Sequence, residues 1–364
     1  MFSSNEKISA RQLQALTLLF LFGTSAIFLP NIAISNAGQN GWAGVLIAAI
    51  FAAAGVYLMA SVGSLFRGKS FHEYSCLLLS RPLGKLLCLI LAIRALAGTA
   101  LELRIFGEII KSVLLPLTPY WLIAAVILAL GWLAVYHGYE TRGRIAEILV
   151  FAVFVPLLIL LVLSAFGADY SNLLPVLNNT PERLLKSGFE SGYAFAGIEL
   201  VLVAVSFTNA AGETTRKCVT GAVVFMGILL SAITALVIAR LTPQGALAHD
   251  WPLLELLFTT EIPGSFMERQ NAIVISFWIL TVFARAGAGL FFGSLLLRDM
   301  AGKGKRRIYL TVLVPVVLLL SLIPDNASRA YEYSRIMYRY SAPALVLALP
   351  FVLLVIARLR RFDK

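Results

Sequence analysis

The sequence has very little charge for its length. Only 13% of its 364 residues are Asp, Glu, Lys or Arg, whereas 59% are hydrophobic and the mean hydropathy is +0.86. A water-soluble protein of this size exposes more surface than so few charges can hydrate. The composition therefore excludes an ordinary soluble globular protein and predicts a chain whose solvent is largely lipid.

The sequence also contains few residues that commonly carry chemistry. It has three cysteines and three histidines, and neither set has metal-ligand spacing. It contains no phosphate-cradling glycine loop, nucleophile elbow or HExxH pattern. We expect no cofactor and no bound metal, and an enzyme is the least supported class of function.

Long apolar segments dominate the chain. A helix needs roughly 20 mostly apolar residues to cross the hydrocarbon core, and about ten such segments are present. They lie near Gln12–Ile34, Gly41–Phe66, Leu83–Leu115, Trp121–Tyr136, Ile145–Phe166, Leu184–Phe207, Cys218–Ala239, Asn271–Leu297, Ile308–Ile323 and Ser341–Leu359. The sequence predicts one all-α polytopic transmembrane domain over residues 1–364.

The basic residues are distributed unequally between the two sides of the membrane. With a cytoplasmic N-terminus, nineteen of the 30 Lys and Arg residues fall on the cytoplasmic side and seven on the opposite side. This asymmetry predicts that both termini are cytoplasmic. The net charge of +11 needs no nucleic acid to explain it, because basic loops such as Lys303–Arg307 fit contact with anionic lipid headgroups.

The first segment contains Gly23, Thr24 and Ser25 about halfway along its length. Irregular backbone at that depth is tolerated only where it is buried in protein or lines a cavity. An unwound segment there would present amide groups at a half-helix N-terminus, which favour a carboxylate. The same small residues could instead form a helix-packing face.

The sixth segment has a similar cluster of glycines, Gly188, Gly192 and Gly197, followed by Glu199. Interrupted segments in corresponding positions of two halves point to a transporter-type binding site at the bilayer midplane. Ten helices in two inverted repeats of five, at about residues 9–166 and 182–360, would break helices 1 and 6. We infer this repeat from the pattern, since the two halves show no direct sequence symmetry.

The third segment carries Arg94, Glu102, Arg104 and Glu108, each costly in lipid unless it faces a cavity or a partner. Arg104 and Glu108 are four residues apart, so one helix face can pair them. Glu102 lies on a different face from Arg104. Glu102 could line a ligand or water path, or it could pair with Arg94 or another span, and Glu199 has the same two interpretations.

Arg285 lies near the middle of the eighth segment. Its charge could neutralise Glu199 or Glu102, or replace a coupling cation between the first and eighth segments. The favoured interpretation is that the side chain snorkels toward the cytoplasmic interface.

Four stretches of the chain carry a family resemblance. They are KISARQLQALTLLFLFGTSAIFLP (Lys7–Pro30), HGYETRGRIAEI (His137–Ile148), NLLPVL (Asn172–Leu177) and WPLLELLFTTEIPGSFMERQNAIVISFWIL (Trp251–Leu280). In this order they resemble the B subunits of bacterial spore germinant receptors, the GerAB type, within the amino acid–polyamine–organocation transporter superfamily. Arg285 is unusual for that family.

The resemblance implies a LeuT-like fold in the inner membrane of a spore or in the bacterial cell membrane. It also implies partners: A-type and C-type receptor subunits, and a small germinant, for which an amino acid best suits a carboxylate-binding helix break. Carried over by position, the ligand site would include Gly23, Thr24, Ser25, Tyr193, Phe195, Gly197 and Glu199. Glu102 and Thr281 would line its remaining walls.

Three functions fit this pattern. A germinant sensor would pass a ligand-induced conformational shift to its partner subunits. A secondary transporter of a small amino acid or amine, coupled to H⁺ or Na⁺, would share the same fold and site. A scaffold subunit would bind no ligand. The irregular backbone at the midplane argues mildly against this function, because a scaffold would not need it. The family resemblance favours the sensor.

Overall fold

The computed structural model describes residues 7–23, 25–260 and 270–360, and it is almost entirely helical within those ranges. The helices of the first half are α1 (Ala10–Phe22), α2 (Ser25–Ala37), α3 (Gly41–Leu65), α4 (Phe71–Leu78), α5 (Arg81–Val113), α6 (Tyr120–Tyr136) and α7 (Tyr139–Phe166).

The second half contains α8 (Pro181–Ser191), α9 (Val201–Ala204), α10 (Gly212–Leu241), α11 (Pro243–Leu247), α12 (Pro252–Phe258), α13 (Gln270–Ala301), α14 (Arg306–Ser321), α15 (Ala327–Pro343) and α16 (Leu349–Leu359). Short 3₁₀ turns flank α9, and one π-helical turn over Ala344–Ala348 joins α15 to α16.

The apolar segments predicted from the sequence all coincide with these helices. Among the described residues, six helical stretches are long and apolar enough to cross a bilayer, and one further candidate is a bent pair over residues 181–195 and 198–207. The predicted all-α polytopic class is therefore confirmed, and the chain is a multi-pass membrane protein. The division into two repeats at about 166 and 182 stays a prediction.

The last predicted segment is only part of a longer helical unit. Ser341–Leu359 was expected, whereas the helix begins at Ala327 and carries several charged side chains in its first half. Hydropathy locates only the apolar part of such a helix, which is why its polar beginning was missed.

The first segment is interrupted at Gly23. Helix α1 ends at Phe22, α2 begins at Ser25, and Gly23 has φ −14° and ψ −144°, outside the helical region. The carbonyls at the end of α1 therefore lack their usual partners in the next turn. The indole Nε1 of Trp278 donates to the Gly23 carbonyl at 3.2 Å, and a guanidinium from α13 reaches the carbonyl of Phe20.

The sixth segment is interrupted as well. Helix α8 ends at Ser191, a 3₁₀ turn covers Gly192–Phe195, and the chain resumes at Ile198 after a bend of 53°. Gly197 sits in the bend with φ +88°, a conformation that glycine adopts without the penalty of a side chain.

The two interrupted segments are tied together at one end. The Ile8 amide donates to the Phe207 carbonyl at 2.8 Å, and the Asn209 amide donates back to the Ile8 carbonyl at 3.2 Å. These bonds join the chain just before α1 to the chain just after α9. A displacement of either segment at this end must therefore move the other segment or break these hydrogen bonds.

Helices α3 and α10 pack closely along small residues. Gly227 of α10 lies against Ala49 of α3, and a Cβ built at Gly227 would overlap the Cβ of Ala49. Small residues at such contacts let two helix backbones approach closely in a membrane.

We expect Gly227→Ala to lower the thermal unfolding midpoint of the purified protein in detergent, because overpacking a helix contact costs about 1–3 kcal/mol. Gly221 provides the matched control on the same helix, since no heavy atom lies within 4 Å of its Cβ position. Gly221→Ala should be neutral or stabilising by up to about 1 kcal/mol. Equal effects of the two substitutions would contradict this packing.

Candidate functional site

The interior of the bundle contains a buried ion pair between Arg94 of α5 and Glu199, beside the bend of the sixth segment. The Arg94 Nη2 and Nε atoms lie 2.6 and 2.8 Å from Oε1 of Glu199. The side chains are 7% and 2% exposed, so water contributes little to their solvation. Arg94 also donates to Ser341, which links α5 to the α15–α16 unit.

A second buried ion pair joins Arg285 of α13 to Glu102 of α5, with side chains 9% and 6% exposed. Nη1 of Arg285 also donates to the carbonyl of Phe20, near the end of α1. One guanidinium therefore neutralises a carboxylate and satisfies a carbonyl that the helix break would leave without a partner.

These contacts decide between the alternatives that the sequence leaves open. Arg285 does not snorkel toward an interface, and that interpretation was wrong, because Glu102 and the Phe20 carbonyl hold its guanidinium inside the protein. The prediction that Glu102 pairs with Arg94 or with another span is confirmed in its second form, because Arg285 of α13 binds Glu102 whereas Arg94 binds Glu199. The predicted pair of Arg104 and Glu108 is confirmed at 3.0 Å.

The two ion pairs line a small space that we call the central chamber. Its volume is about 10 Å³, room for about one water molecule. The wall charges cancel, since two arginines face two glutamates. The lining residues are Phe20, Arg94, Ala95, Gly98, Thr99, Glu102, Gly197, Glu199, Leu200, Arg285, Gly289 and Tyr338.

A larger cavity meets the central chamber at Tyr338, and we call it the outer cavity. Its volume is about 380 Å³. It lies between α3, α8 and α15 and contains Glu190, whose carboxylate pairs with Arg339 at 2.7 Å. Tyr338 lines both the outer cavity and the central chamber.

A third space, the inner chamber, has a volume of about 30 Å³ and shares Phe20, Gly197 and Leu200 with the central chamber. The three spaces therefore lie in series, with an aromatic side chain at each boundary.

The aromatic rings at the two boundaries, Phe20 and Tyr338, contact neighbouring arginines, and Phe20 also packs against a glycine. The Arg285 Cζ lies 4.4 Å from the centre of the Phe20 ring, and a Cβ on Gly197 would come within 2.7 Å of that ring. The Arg94 Cζ lies 4.8 Å from the centre of the Tyr338 ring. Cations at such distances are attracted to the ring faces, so the ion pairs also position the boundaries.

The structure places Gly23 directly against the second ion pair. A Cβ at this position would lie 2.5 Å from Oε1 of Glu102 and 2.6 Å from Cδ of Arg285. Only a residue without a side chain leaves room for the pair there. Thr24 lies outside the described residues, as does the side chain of Ser25.

The other predicted site residues fall into three groups. Glu102, Gly197 and Glu199 line the central chamber. Tyr193 and Phe195 line the outer cavity instead. The Tyr193 hydroxyl donates to the Ser334 hydroxyl at 3.3 Å.

Thr281 lines none of these three spaces. Its hydroxyl is buried and donates to the Trp278 carbonyl of its own helix at 2.7 Å.

Sequence reasoning missed Phe20, Tyr338 and Trp278. Phe20 is an ordinary apolar residue of an apolar helix, and Trp278 is one aromatic residue of another, so neither carries a distinguishing signal. Tyr338 lies in α15 before Ser341, in the part that hydropathy did not identify as a span. The position of Phe20 three residues before the Gly23 break was the one available signal.

Comparison with known proteins identifies the family of this chain. The profile described as "Spore germination protein" (Spore_permease) matches residues 7–330. The chain belongs to this family.

Relatives in the spore germination protein family align over almost the whole chain. The spore germination protein YndE of Bacillus subtilis (strain 168) is 26% identical over 363 residues, covering 99% of each chain. The spore germination protein GerLB of Bacillus cereus is 25% identical over 367 residues, covering 98% of this chain and 96% of the relative. The resemblance stated from the four sequence motifs is confirmed.

A solved structure shows the fold. Mhp1, a nucleobase-cation-symport-1 family transporter in a closed conformation with bromovinylhydantoin bound, superposes with a TM-score of 0.68 at 15% sequence identity. The match covers 88% of this chain and 74% of Mhp1. The LeuT-like fold class that the family resemblance implies is therefore confirmed for this member of the spore germination protein family.

Removing either partner of the Arg94–Glu199 pair should be costly. Because a buried charge would lose its partner, we expect Arg94→Gln or Glu199→Gln alone to destabilise the protein by about 3 kcal/mol. The double variant should be more stable than the sum of the two single effects predicts. Thermal unfolding of the four proteins in detergent measures this coupling.

The exposed pair Lys217–Glu213 is the matched control, with an N–O distance of 2.7 Å but side chains 76% and 67% exposed. Its coupling should be no more than about 0.5 kcal/mol. Additive effects of Arg94→Gln and Glu199→Gln would contradict a stabilising contact between them.

Proposed function

We propose that this chain is the nutrient-sensing membrane subunit of a spore germinant receptor and binds a small germinant, an amino acid, at the bilayer midplane. The observation that carries the proposal is the two buried ion pairs. Glu102–Arg285 lies against the break at Gly23, and Arg94–Glu199 lies beside the bend at Gly197. The family of the chain supports the role in germination, and the transporter fold supports a small-molecule site.

The charges of the central chamber suit a zwitterion. An α-amino acid has one ammonium and one carboxylate group, so it can exchange partners with one glutamate and one arginine and leave no charge unpaired. The N-terminus of α2, next to Gly23, adds amide groups that favour a carboxylate. A sugar or a nucleoside would leave both ion pairs intact and would have no charged group to compete with them.

The central chamber has no room for an amino acid while both ion pairs are closed, since its volume is about 10 Å³. Binding therefore requires at least one pair to open, which frees Arg285 from the Phe20 carbonyl or Arg94 from α15–α16. A ligand that binds only the opened arrangement shifts the population toward it. We propose that A-type and C-type subunits read this shift.

Transport is the second candidate function. The three spaces in series, separated by Tyr338 and by Phe20, resemble a path with a boundary on either side of a central site. If both boundaries open in alternation, an amino acid would be carried across the membrane, and if only one opens, it would be sensed. Uptake of radiolabelled amino acid by liposomes that contain the protein distinguishes the two.

The proposal is tested by thermal shift of the purified protein with amino acids, sugars and nucleosides. We expect at least one amino acid to raise the unfolding midpoint of the wild type. Gly23→Leu should abolish this shift because its side chain would fill the space of the Glu102–Arg285 pair. Glu199→Gln should weaken it by removing one charge that the ligand needs.

Gly221→Ala is the control, since Gly221 is exposed and far from other side chains. It should keep the full ligand shift. If amino acids stabilise neither the wild type nor the control, the proposed site is wrong and a scaffold subunit becomes the better explanation. Stabilisation only by sugars or nucleosides would contradict the zwitterion argument.

We also propose that the chain resides in the spore inner membrane with both termini in the cytoplasm. Its own cysteines provide the test, because Cys76 and Cys218 are partly exposed and Cys88 is buried. A membrane-impermeant maleimide should label the protein in inside-out vesicles and not in right-side-out vesicles. Cys76→Ser/Cys218→Ser should remove the label, and labelling from the opposite side would reverse the orientation.

A further inference from the structure

Arg142, near the start of α7, is a buried cation whose described surroundings contain no carboxylate partner. Arg142 is 6% exposed, and its Nε and Nη1 atoms have no hydrogen-bond acceptor within the described part of the chain. Nη2 reaches the Ala284 carbonyl at a long 3.4 Å. The guanidinium otherwise lies near the rings of Tyr139 and Phe292, at 5.6 and 5.8 Å.

The carboxylates closest to Arg142 in sequence are engaged elsewhere. Glu140 pairs with Arg144 at 2.7 Å, and Glu147 accepts a hydrogen bond from Gln12 at 3.3 Å. Arginine stays protonated in proteins, so the charge cannot be avoided by releasing a proton. A buried charge without a partner costs several kcal/mol, and charged residues inside membrane spans usually pair or face a cavity.

Arg142 faces such a cavity, since it lines the inner chamber below Phe20. The volume of about 30 Å³ is room for about two water molecules, so it fits a single small ion or one end of a larger solute. Apart from Arg142 and the hydroxyls of Thr17 and Tyr139, the lining side chains are apolar. A polyvalent ion would lose its hydration there without gaining enough partners.

We propose that the inner chamber is a binding site for a small monovalent anion, a halide or a carboxylate group, held by the guanidinium of Arg142. The Nε–H and Nη1–H groups, which have no acceptor among the described residues, supply the donors. The anion neutralises the cation and occupies the space between α1, α7 and α13. This site is separate from the zwitterion site of the central chamber.

The test compares the thermal unfolding midpoint of the full chain in sodium gluconate, sodium chloride and sodium formate at equal ionic strength. Gluconate is too large for the chamber and serves as the reference anion. We expect chloride or formate at saturation to raise the midpoint by roughly 2 °C. Chloride alone would identify a halide site, and formate alone would identify a carboxylate site.

Arg142→Gln should abolish the anion dependence. Arg144→Gln is the matched control on the same helix, because Arg144 is 54% exposed and its loss should leave the dependence unchanged. If Arg142→Gln does not fold, Arg142→Lys keeps the charge and should weaken the apparent affinity by losing the planar pair of donors. The proposal is overturned if wild type unfolds at the same midpoint in all three salts, or if the Arg142 variants keep the wild-type dependence.

Discussion

The structure depends on the requirement that polar groups inside a membrane find their partners within the protein. A helix satisfies its own backbone, but an interrupted helix does not. The break at Gly23 leaves carbonyls that Trp278 and Arg285 satisfy from α13. Arg285 then needs a carboxylate, which Glu102 provides from α5. One irregular residue directly after α1 thus requires specific polar residues on two other helices.

The same requirement explains why the central chamber is closed. Two ion pairs fill the chamber, and the arginine and glutamate of each pair neutralise each other. No water or ion is therefore needed to balance the charges. A buried pair is expensive to break by removing one member, but partners can be exchanged at lower cost when a ligand brings its own opposite charges. We propose on this basis that the arrangement selects for a solute with both an ammonium and a carboxylate group and couples its binding to movement at the helix breaks.

Much of the fold could be predicted because lipid imposes a simple rule on length and hydropathy. The predicted apolar segments lie on helices, and the four motifs identified the family. The part of α15 before Ser341 escaped because its charged side chains lower the hydropathy there, although Tyr338 in this part lies at a boundary of the central chamber. Glu102 and Glu199 could be singled out because charge is rare in spans, and Gly197 because it belongs to a cluster of glycines in the sixth segment. Phe20 could not, because an apolar residue in an apolar helix carries no mark of its position.

The sequence by itself determined the polytopic helical class, the family, and which charges had to be paired somewhere in the interior. Only the tertiary structure decided the partners: Arg94 with Glu199, Arg285 with Glu102, and Arg142 with no carboxylate among the described residues. The reason is geometric. Hydropathy and helical periodicity depend on neighbours along one helix, whereas these contacts join side chains from α5, α7, α13 and the bend of the sixth segment. Their pairing follows from how the helices pack, which no single segment encodes.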